Sequence, residues 1–486
     1  MTLDPHIRDK YQMVVGLEIH AQLNTRSKAY CADLNEYGSA PNSNVGPVSL
    51  GMPGTLPVVN RQVVQHAIRL GLSLNCNITE SMYFARKNYF YADLPKGYQI
   101  TQDTTPICTG GHLDIEVDGK SRRIGITRIH MEEDAGKSIH DQDPFDTLID
   151  LNRAGVPLLE IVSEPDIRSS EEAYAYLAEI RKLVRYLDIC DGNMEEGSLR
   201  CDANISVMLK GSDTFGMRCE VKNMNSLRNV QRAIEHEVVR QILLIESGGT
   251  VEQQTRNFDA VSGTTSLLRS KEDAHDYRYF PEPDLQPLTL TPEQIEVVRS
   301  EMPPLPSELL VRYTTELGLK EYDARVLTED KAIALYFEEL IQHTPNYKAA
   351  ANWVMVDVKS FLNQNGIAIS EFSLKPVQIA ELIDLIDSGK VSHSVASQNL
   401  FPALIDSPHT SAAALAEAMN LMQNSDEDSL TSWARAALET YPDKVNAYKS
   451  GNKGLLGLFM GEVMKLSNRK ADPKAASKIL QQLLEE

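Results

Sequence analysis

Several short stretches of the 486-residue sequence alternate between apolar residues and residues that can do chemistry. In 17–23, a side-chain period of two puts Glu18, His20 and Gln22 on one face and aliphatic residues on the other. Three more stretches alternate in this way, and their functional faces carry Arg128, His130, Glu132, Arg200, Asp202, Asn204, Arg218, Glu220 and Lys222. Asp and Asn are depleted in strands, so a face that carries them favours a functional site. A sheet with an ordinary hydrated face is the alternative.

A second group of candidate ligands lies in 130–138, where His130, Glu132, Glu133 and Asp134 lead into a Gly-Lys-Ser turn. The segment is not a phosphate-binding P-loop, because Met131 stands where that motif requires its first glycine. Neighbouring carboxylates repel one another unless a cation is present. Oxygen ligands with an imidazole suit Mg²⁺ or Mn²⁺, so the segment predicts a divalent cation site, with a solvated acidic turn as the alternative.

A single glutamate, Glu160, lies inside the apolar run 156–162, which is typical of a buried strand. A carboxylate in such a position needs a cationic partner, since burying it unpaired is costly. Either Glu160 belongs to the metal site, or it makes a structural ion pair, for which Arg153 is a candidate partner.

Cations and aromatic residues are interleaved in 86–99 and again in 275–281. Such mixtures can stack a base and hold a phosphate. They can equally form an aromatic core along which arginine stems lie. The pattern alone does not separate the two interpretations.

The charge and apolar content of the chain exclude several classes of protein. A formal net charge of −20 argues against indiscriminate nucleic-acid binding, which needs a positive field. From Lys444 onward, however, eight Lys and Arg residues accompany four acidic ones, so this end either contacts a polyanion or is a solvated helical surface. No apolar run approaches the roughly 20 residues of a membrane span, and no signal or transit peptide is visible, so we expect a cytoplasmic protein. The six cysteines show no C-x-x-C spacing, which argues against a disulfide framework and a zinc site.

The elements that must position these residues change character along the chain. Up to about residue 290 the pattern is mostly strand-like, with a clear helix that follows a capping box at Ser169 and Glu172. From about 293 to 405 a helical period dominates, and one helix is expected to end near Gly389. The Ser/Asn/Asp-rich stretch 423–429 lies within a last region that is again helical and carries the basic residues.

Seven of these segments, in this order, resemble the B subunits of the bacterial and organellar glutamyl/aspartyl-tRNA amidotransferase family. They are VGLEIHAQLNTRSKAYC at 15–31, RKNYFYADLPKGYQITQ at 86–102, HMEEDAGKS at 130–138, NRAGVPLLEIVSEPDIRS at 152–169, MEEGSLRCDANISV at 194–207, EVKNMNSLRNV at 220–230 and HDYRYFPEPDL at 275–285. The resemblance runs essentially end to end, because GLFMGEVMK at 457–465 also matches.

The resemblance implies an α+β protein in three parts. We place an antiparallel-sheet cradle domain with the reaction site at 1–292, an all-α helical domain at 293–408 and a small helical tail domain that binds tRNA at 409–486. It also implies a chemistry in which ATP and Mg²⁺ are used to phosphorylate the side-chain carboxylate of misacylated Glu-tRNA(Gln) or Asp-tRNA(Asn). Ammonia then displaces the phosphate. The ammonia comes from glutamine, which the amidase-type A subunit of the complex hydrolyses as its glutaminase, and a small C subunit completes the complex.

The same resemblance assigns roles to individual residues. The catalytic set is Glu18, His20, Glu133 and Glu160, and the metal ligands are Glu18, His20, Glu132, Glu133 and Glu160. We assign ATP and the tRNA 3′ end to Arg86, Lys87, Tyr89, Lys96, Arg200, Asp202, Lys222 and Arg278. The body of the tRNA is assigned to Lys465, Arg469, Lys470, Lys474 and Lys478.

Two departures from the family pattern refine the expectation. Many relatives bind zinc through paired cysteines around the first motif, whereas this chain has only Cys31 there and reads Gly-Pro-Val-Ser at 46–49, so we expect no zinc. The chain also has no room for the insertion of the archaeal paralogue, which favours the bacterial three-subunit type. A non-catalytic tRNA-binding scaffold and an unrelated Mg²⁺-dependent phosphotransferase are the competing functions.

Overall fold

The computed structural model describes residues 3–270, 276–422, 427–467 and 471–485, which form two compact units, 1–305 and 306–486. The strands of the first unit are β1 (Tyr11–Gln22), β2 (Asn77–Ile78), β3 (Ser81–Met82), β4 (Ala85–Asn88), β5 (Tyr98–Thr101), β6 (Cys108–Thr109), β7 (His112–Val117), β8 (Lys120–Glu133), β9 (Lys137–Ile139), β10 (Leu148–Asp150), β11 (Pro157–Ser163), β12 (Leu199–Leu209), β13 (Cys219–Met224), β14 (Gln254–Asp259), β15 (Thr264–Ser270), β16 (Phe280–Pro281) and β17 (Leu288–Thr289). Its helices are α1 (Pro5–Arg8), α2 (Arg61–Ser73), α3 (Ser170–Tyr186), α4 (Leu227–Glu246) and α5 (Pro292–Ser300).

A single large sheet organises the first unit, in the order β15-β14-β13-β12-β1-β11-β8-β6-β2, with β7 paired to β8. All pairs in this sheet are antiparallel except β13 with β14. The sheet is therefore mixed, and the prediction of an α+β fold built on a largely antiparallel sheet is confirmed.

One face of the sheet is covered and the other is polar, as the alternation predicts. In β1, Leu17, Ile19 and Ala21 are fully buried in a core to which α3 and α4 contribute. The predicted apolar stripe of α3 belongs to the same core. At the start of α3, the side chain of Ser169 accepts a hydrogen bond from the backbone N–H of Glu172. The carboxylate of Glu172 accepts from the backbone N–H of Arg168.

The named elements of the second unit, within its described residues, are all helices. Its α-helices are α6 (Pro306–Thr315), α7 (Glu321–Leu327), α8 (Lys331–Leu340), α9 (Tyr347–Asn352), α10 (Lys359–Asn365), α11 (Pro376–Asp387), α12 (His393–Val395), α13 (Phe401–Asp406), α14 (Ala412–Ala418), α15 (Glu427–Thr440), α16 (Pro442–Lys449), α17 (Leu456–Leu466) and α18 (Pro473–Glu485). π-Helical turns occupy Trp353–Val358 and Ala396–Leu400, and 3₁₀ turns occupy Ile369–Glu371 and Lys453–Leu455.

Two separate apolar clusters hold this unit together, one spanning 309–416 and the other 430–484. Gly389 follows α11 with a φ of +71°, the left-handed conformation expected of a glycine after a helix end. α5 packs against α2 and so belongs to the first unit, although nearly all of it lies past the predicted 292/293 boundary. The boundaries of the three domains stay predictions.

Candidate metal and reaction site

The register of four strands brings the sequence-predicted acids and histidines into one row. His20 on β1 lies opposite Glu160 on β11 and, on its other side, opposite Arg200 on β12. Glu160 in turn lies opposite His130 on β8. Because directly paired residues of an antiparallel sheet share a face, all four side chains leave the polar face of the sheet.

One carboxylate stands at the centre of this row. The Oε2 atom of Glu160 lies 3.3 Å from Nε2 of His20 and 3.2 Å from Nε2 of His130. Burial alone would raise the pKa of Glu160, but the charge of His130 and the hydrogen bonds from both histidines outweigh it and hold that pKa well below its usual range. Glu160 is therefore an ionised carboxylate in a buried strand, compensated by imidazoles. The structural ion pair with Arg153 is not formed, since Arg153 lies instead beside Asp134, with Nε 3.6 Å from Oδ2.

Two further glutamates complete the cluster from either side. Glu132 lies 3.1 Å from His130 and accepts from the hydroxyl of Thr101 at 2.8 Å. Burial opposes its ionisation, but Lys87 and His130 lower its pKa to about 2. Glu18 lies 3.8 Å from His20, and burial together with the charge of Glu160 raises its pKa to about 7. The cluster thus carries one carboxyl that its protein neighbours do not fully stabilise as an anion.

The donor atoms converge closely enough to hold a cation. Two triads have ligand atoms within 4.8 Å of one another, Glu18–His20–Asp202 and His20–Glu132–Glu160, and they share His20. Hard carboxylate oxygens with an imidazole fit Mg²⁺ or Mn²⁺. The raised pKa of Glu18 supports this fit, because a bound divalent cation would supply the missing positive charge.

Glu133 is the sequence-predicted ligand that the structure does not bring to this cluster. It follows Glu132 directly, so its side chain leaves the opposite face of β8. There it forms an ion pair with Lys96 and accepts from the backbone N–H of Ile100 at 2.8 Å. Both side chains of this ion pair are buried. Because Lys96 pairs with Glu133 on that opposite face, it lies apart from the row of histidines.

The segment of cations and aromatic residues divides between the site and the scaffold. Nζ of Lys87 lies 3.8 Å from Glu132 and 5.1 Å from the ring centre of Tyr277, and the charge of Glu132 raises the pKa of Lys87. The rings of Tyr89 and Tyr277 meet edge to face. Lys87 and these rings therefore border the cluster.

Arg86 and Arg278 lie differently. The guanidinium of Arg86 makes two hydrogen bonds, of 2.6 and 2.8 Å, to the buried carboxylate of Glu282 and stacks on Tyr98. Arg278 is exposed and has a φ of +42°, and its carbonyl accepts from the side chain of Asn88. His275, the first residue of the 275–281 segment, lies outside the described residues.

On the other flank, the polar face continues as a chain of paired charges. Lys222 pairs with Asp202 and lies 2.9 Å from Glu220, which accepts from the hydroxyl of Thr255 at 2.8 Å. At the end of β12 and β1, Arg200 donates to Asp134 at 2.6 Å. Asp202 thus has two relationships, one with Lys222 and one with the triad of Glu18 and His20.

The residues assigned to the body of a tRNA lie in the second unit. Lys465 is exposed and pairs with Glu462 at 3.2 Å, and Lys474 and Lys478 are exposed one turn apart on α18. Arg469 and Lys470 lie outside the described residues. In the first unit, Cys31 meets Ser49 and no second cysteine, and none of the ligand groups found among the described residues includes it.

Two residues lie in or beside this cluster although the metal set assigned from the resemblance leaves them out. His130 is a candidate ligand on the pattern of 130–138 and shares the face of Glu132, but the catalytic and metal sets taken from the resemblance do not include it. Asp202 is predicted to bind ATP or the tRNA 3′ end, and the structure also brings it into a candidate ligand group. Its place beside Glu18 follows from the pairing of β12 with β1, which the sequence does not specify.

Comparison with known proteins identifies the family of this chain. A model of the GatB/GatE catalytic domain matches residues 13–296, and a model of the GatB domain matches residues 335–484. Three relatives are each named as the B subunit of an aspartyl/glutamyl-tRNA(Asn/Gln) amidotransferase. They come from Thermodesulfovibrio yellowstonii (47% identical; 98% of this chain and 100% of the relative covered), Trichlorobacter lovleyi (50%; 98% and 99%) and Geobacter sulfurreducens (50%; 98% and 99%).

The sheet with its acidic and histidine-lined face is therefore a catalytic domain of the GatB/GatE type. The chain belongs to the GatB family, the B subunits of the tRNA-dependent amidotransferases. The predicted resemblance is confirmed, as is the prediction that the chain is part of a ligase. In the part of the chain that the structure describes, no helix is long and apolar enough to cross a membrane.

Proposed function

We propose that this chain carries the ATP-dependent amidation of misacylated tRNA, acting on Glu-tRNA(Gln), Asp-tRNA(Asn) or both. The observation that carries the proposal is the convergence of Glu18, His20 and Glu160 with Glu132 on neighbouring strands of one sheet. Strands of a packed sheet hold side chains rigidly, which a reaction between two anions requires. The names of the relatives support an aminoacylated tRNA as the substrate.

The reaction proceeds in two balanced steps. A carboxylate oxygen of the aminoacyl side chain forms a bond to the γ-phosphorus of ATP while the bond to ADP breaks. Ammonia then attacks the acyl carbon, the bond from that carbon to the phosphate oxygen breaks, and the proton lost by the nitrogen leaves with the phosphate as hydrogenphosphate. Activation is necessary because a carboxylate at neutral pH repels nucleophiles and has no good leaving group.

Glu18, His20, Glu132, Glu160 and Asp202 are the residues that would hold a divalent cation. When bound, such a cation screens the charge of phosphate oxygens. The chain itself contributes positioning, since the two imidazoles fix the carboxylate of Glu160 and Lys87 fixes that of Glu132. The tyrosines beside Lys87 offer ring faces for a terminal base of the tRNA.

The nitrogen comes from a second protein in this proposal. The glutaminase of the complex, its A subunit, hydrolyses glutamine and delivers ammonia, and a small C subunit completes the complex. Lys465, Lys474 and Lys478, together with Arg469 and Lys470, would contact the body of the tRNA by neutralising its phosphates.

The decisive experiment uses the purified complex with misacylated tRNA, ATP and ammonium. We expect Gln-tRNA or Asn-tRNA to form only when this chain is present, and ADP to appear in equal amount. Amidation by the partner proteins without this chain would show that it is a tRNA-binding scaffold. Running Glu-tRNA(Gln) and Asp-tRNA(Asn) separately identifies the substrate.

A further inference from the structure

Arg128, on the polar face of the sheet, has no hydrogen-bond or ion-pair partner among the described residues. Arg128 lies on β8 opposite Val162, two positions before His130, so its side chain leaves the same face as Glu160 and His130. It is half-buried, and its Nε atom is shielded from solvent. Within the described ranges, the side chain of Arg128 makes no hydrogen bond or ion pair.

The neighbouring cations of this face are each neutralised. Lys87 lies beside Glu132, Lys222 pairs with Asp202, and Arg200 donates to Asp134. Arg128 differs from them because it shares a face with acidic residues without touching one. A guanidinium is always charged, and leaving one of its buried N–H groups without an acceptor costs free energy. A ligand that supplies the acceptor would recover that cost on binding.

The position of Arg128 indicates which ligand that is. Val162 separates it from Glu18, so the two Cα atoms lie two strand spacings apart, about 10 Å. The exposed residue Thr109 is its neighbour on the other side, which leaves that flank open. An anion that enters beside the carboxylates can therefore meet a guanidinium at one end and the candidate cation site at the other.

We propose that Arg128 is a substrate-binding residue that holds a phosphate oxyanion next to the cation site. The planar fork of a guanidinium matches two oxygens of one phosphate group. This inference rests on the proposed function, because ATP and the 3′ end of the tRNA are the two sources that would bring phosphate to this face. The residue lies outside the set that the sequence assigned to either of them.

The test compares three variants of the complete complex. Arg128→Met removes the charge and the fork, and Arg128→Lys keeps the charge alone. Arg123→Met is the matched control, because Arg123 lies on the same strand but is exposed and paired with Asp114. For each variant we would measure ammonium-driven amidation as KM and kcat, direct binding of a non-hydrolysable ATP analogue, direct binding of tRNA, and the unfolding temperature.

If the phosphate belongs to the nucleotide, Arg128→Met should weaken binding of the ATP analogue and raise the KM for ATP by about tenfold or more, with a smaller effect for Arg128→Lys. Binding of tRNA should then stay within about twofold of wild type. If the phosphate belongs to the RNA, Arg128→Met should instead weaken binding of tRNA by about tenfold or more. Binding of the ATP analogue should then stay within about twofold of wild type. The control should match wild type in every measurement.

Unchanged affinity for both ligands in Arg128→Met would overturn the proposal. A second result would also overturn it: both Arg128→Met and Arg128→Lys lower the unfolding temperature equally and lose kcat, while both keep their affinity for the ATP analogue and for tRNA. That result would describe a structural arginine. The binding arms also separate this inference from the proposed function. A wild-type complex that binds ATP but does not amidate tRNA would contradict the proposed function. The binding measurements on the Arg128 variants would still test the role of Arg128.

Discussion

His20 and Glu160 face each other across the β1–β11 pair, and Nε2 of the histidine lies 3.3 Å from Oε2 of the glutamate. The same oxygen lies 3.2 Å from His130 on the next strand. One carboxylate oxygen thus fixes two imidazoles on two different strands. Any change at Glu160 therefore acts on both sides of the cluster at once.

Replacing Glu160 with Gln should abolish amidation while the protein stays folded. The amide keeps the shape of the side chain but removes the charge that stabilises His20 and His130 as cations and that would bind a metal. We expect a loss of about 100-fold or more in ammonium-driven turnover, since small displacements of reacting groups cost that much. Ammonium is the informative nitrogen source because it bypasses glutamine hydrolysis.

Glu164→Gln is the matched control, because Glu164 directly follows the same strand and its side chain accepts from the hydroxyl of Thr127, away from the cluster. Its turnover should equal that of wild type. Normal activity in Glu160→Gln would remove Glu160 from the site.

The polar face was predictable from the sequence because a period of two is a local property. Glu18 and His20 follow from it, whereas Glu160 is found as a lone carboxylate in an apolar run, and the rule of two should also have separated Glu133 from Glu132. The sequence does not reveal register, so it could not place Asp202 beside Glu18. It also could not pair Arg86 with its partner Glu282, which lies 196 residues further along the chain.

Arg86 gives a prediction about stability. Its guanidinium is the partner of the buried Glu282. Arg86→Met should leave that carboxylate buried without a compensating charge, and should lower the free energy of unfolding by about 3–5 kcal/mol. The double variant Arg86→Met/Glu282→Met should recover most of that loss. Denaturant titrations of wild type, Arg86→Met, Glu282→Met and the double variant measure the coupling. A stable Arg86→Met variant with impaired ATP or tRNA binding would instead favour the substrate role assigned from the sequence.

His66 should make the first unit sensitive to acid. It lies buried on α2, where burial and the charge of Arg69 lower its pKa from 6.5 to about 4. Below pH 6.5 the His66 imidazole binds a proton in the unfolded chain but stays neutral in the folded chain. The free energy of unfolding therefore falls as the pH drops towards 4. At pH 5 this cost is about 2 kcal/mol, and His66→Leu should remove it.

The measurement is the free energy of unfolding of wild type and His66→Leu at about pH 7.5 and about pH 5, on either side of the ordinary histidine pKa. The fall between the two pH values should be smaller in the variant by the amount stated. Parallel falls in both proteins would mean that His66 does not titrate in this range.

The tail lysines should contribute to tRNA affinity through charge alone. Lys474 and Lys478 are exposed one turn apart on α18, so Lys474→Gln/Lys478→Gln leaves the helix intact. If each lysine meets one phosphate, the slope of log affinity against log salt should fall by about 0.7 to 0.9 units per residue. Lys320→Gln, outside the basic tail, is the control. An unchanged slope would make these lysines a solubilising surface.

The paired charges that run from Asp202 to Glu220 predict different responses to the two nitrogen sources. Asp202 belongs to a candidate ligand triad, so Asp202→Asn should impair amidation equally with ammonium and with glutamine.

Glu220 lies one strand further out and contacts Lys222 and Thr255, away from that triad. If this polar row guides ammonia from the partner, Glu220→Gln should lower glutamine-driven turnover and leave ammonium-driven turnover unchanged at saturating ammonium. The assay is the ratio of the two rates in the complete complex, with glutamine hydrolysis recorded in parallel to confirm that the partner is intact. Equal losses for Glu220→Gln with both sources would assign Glu220 to the amidation site, and wild-type rates with both would exclude this row as the ammonia route.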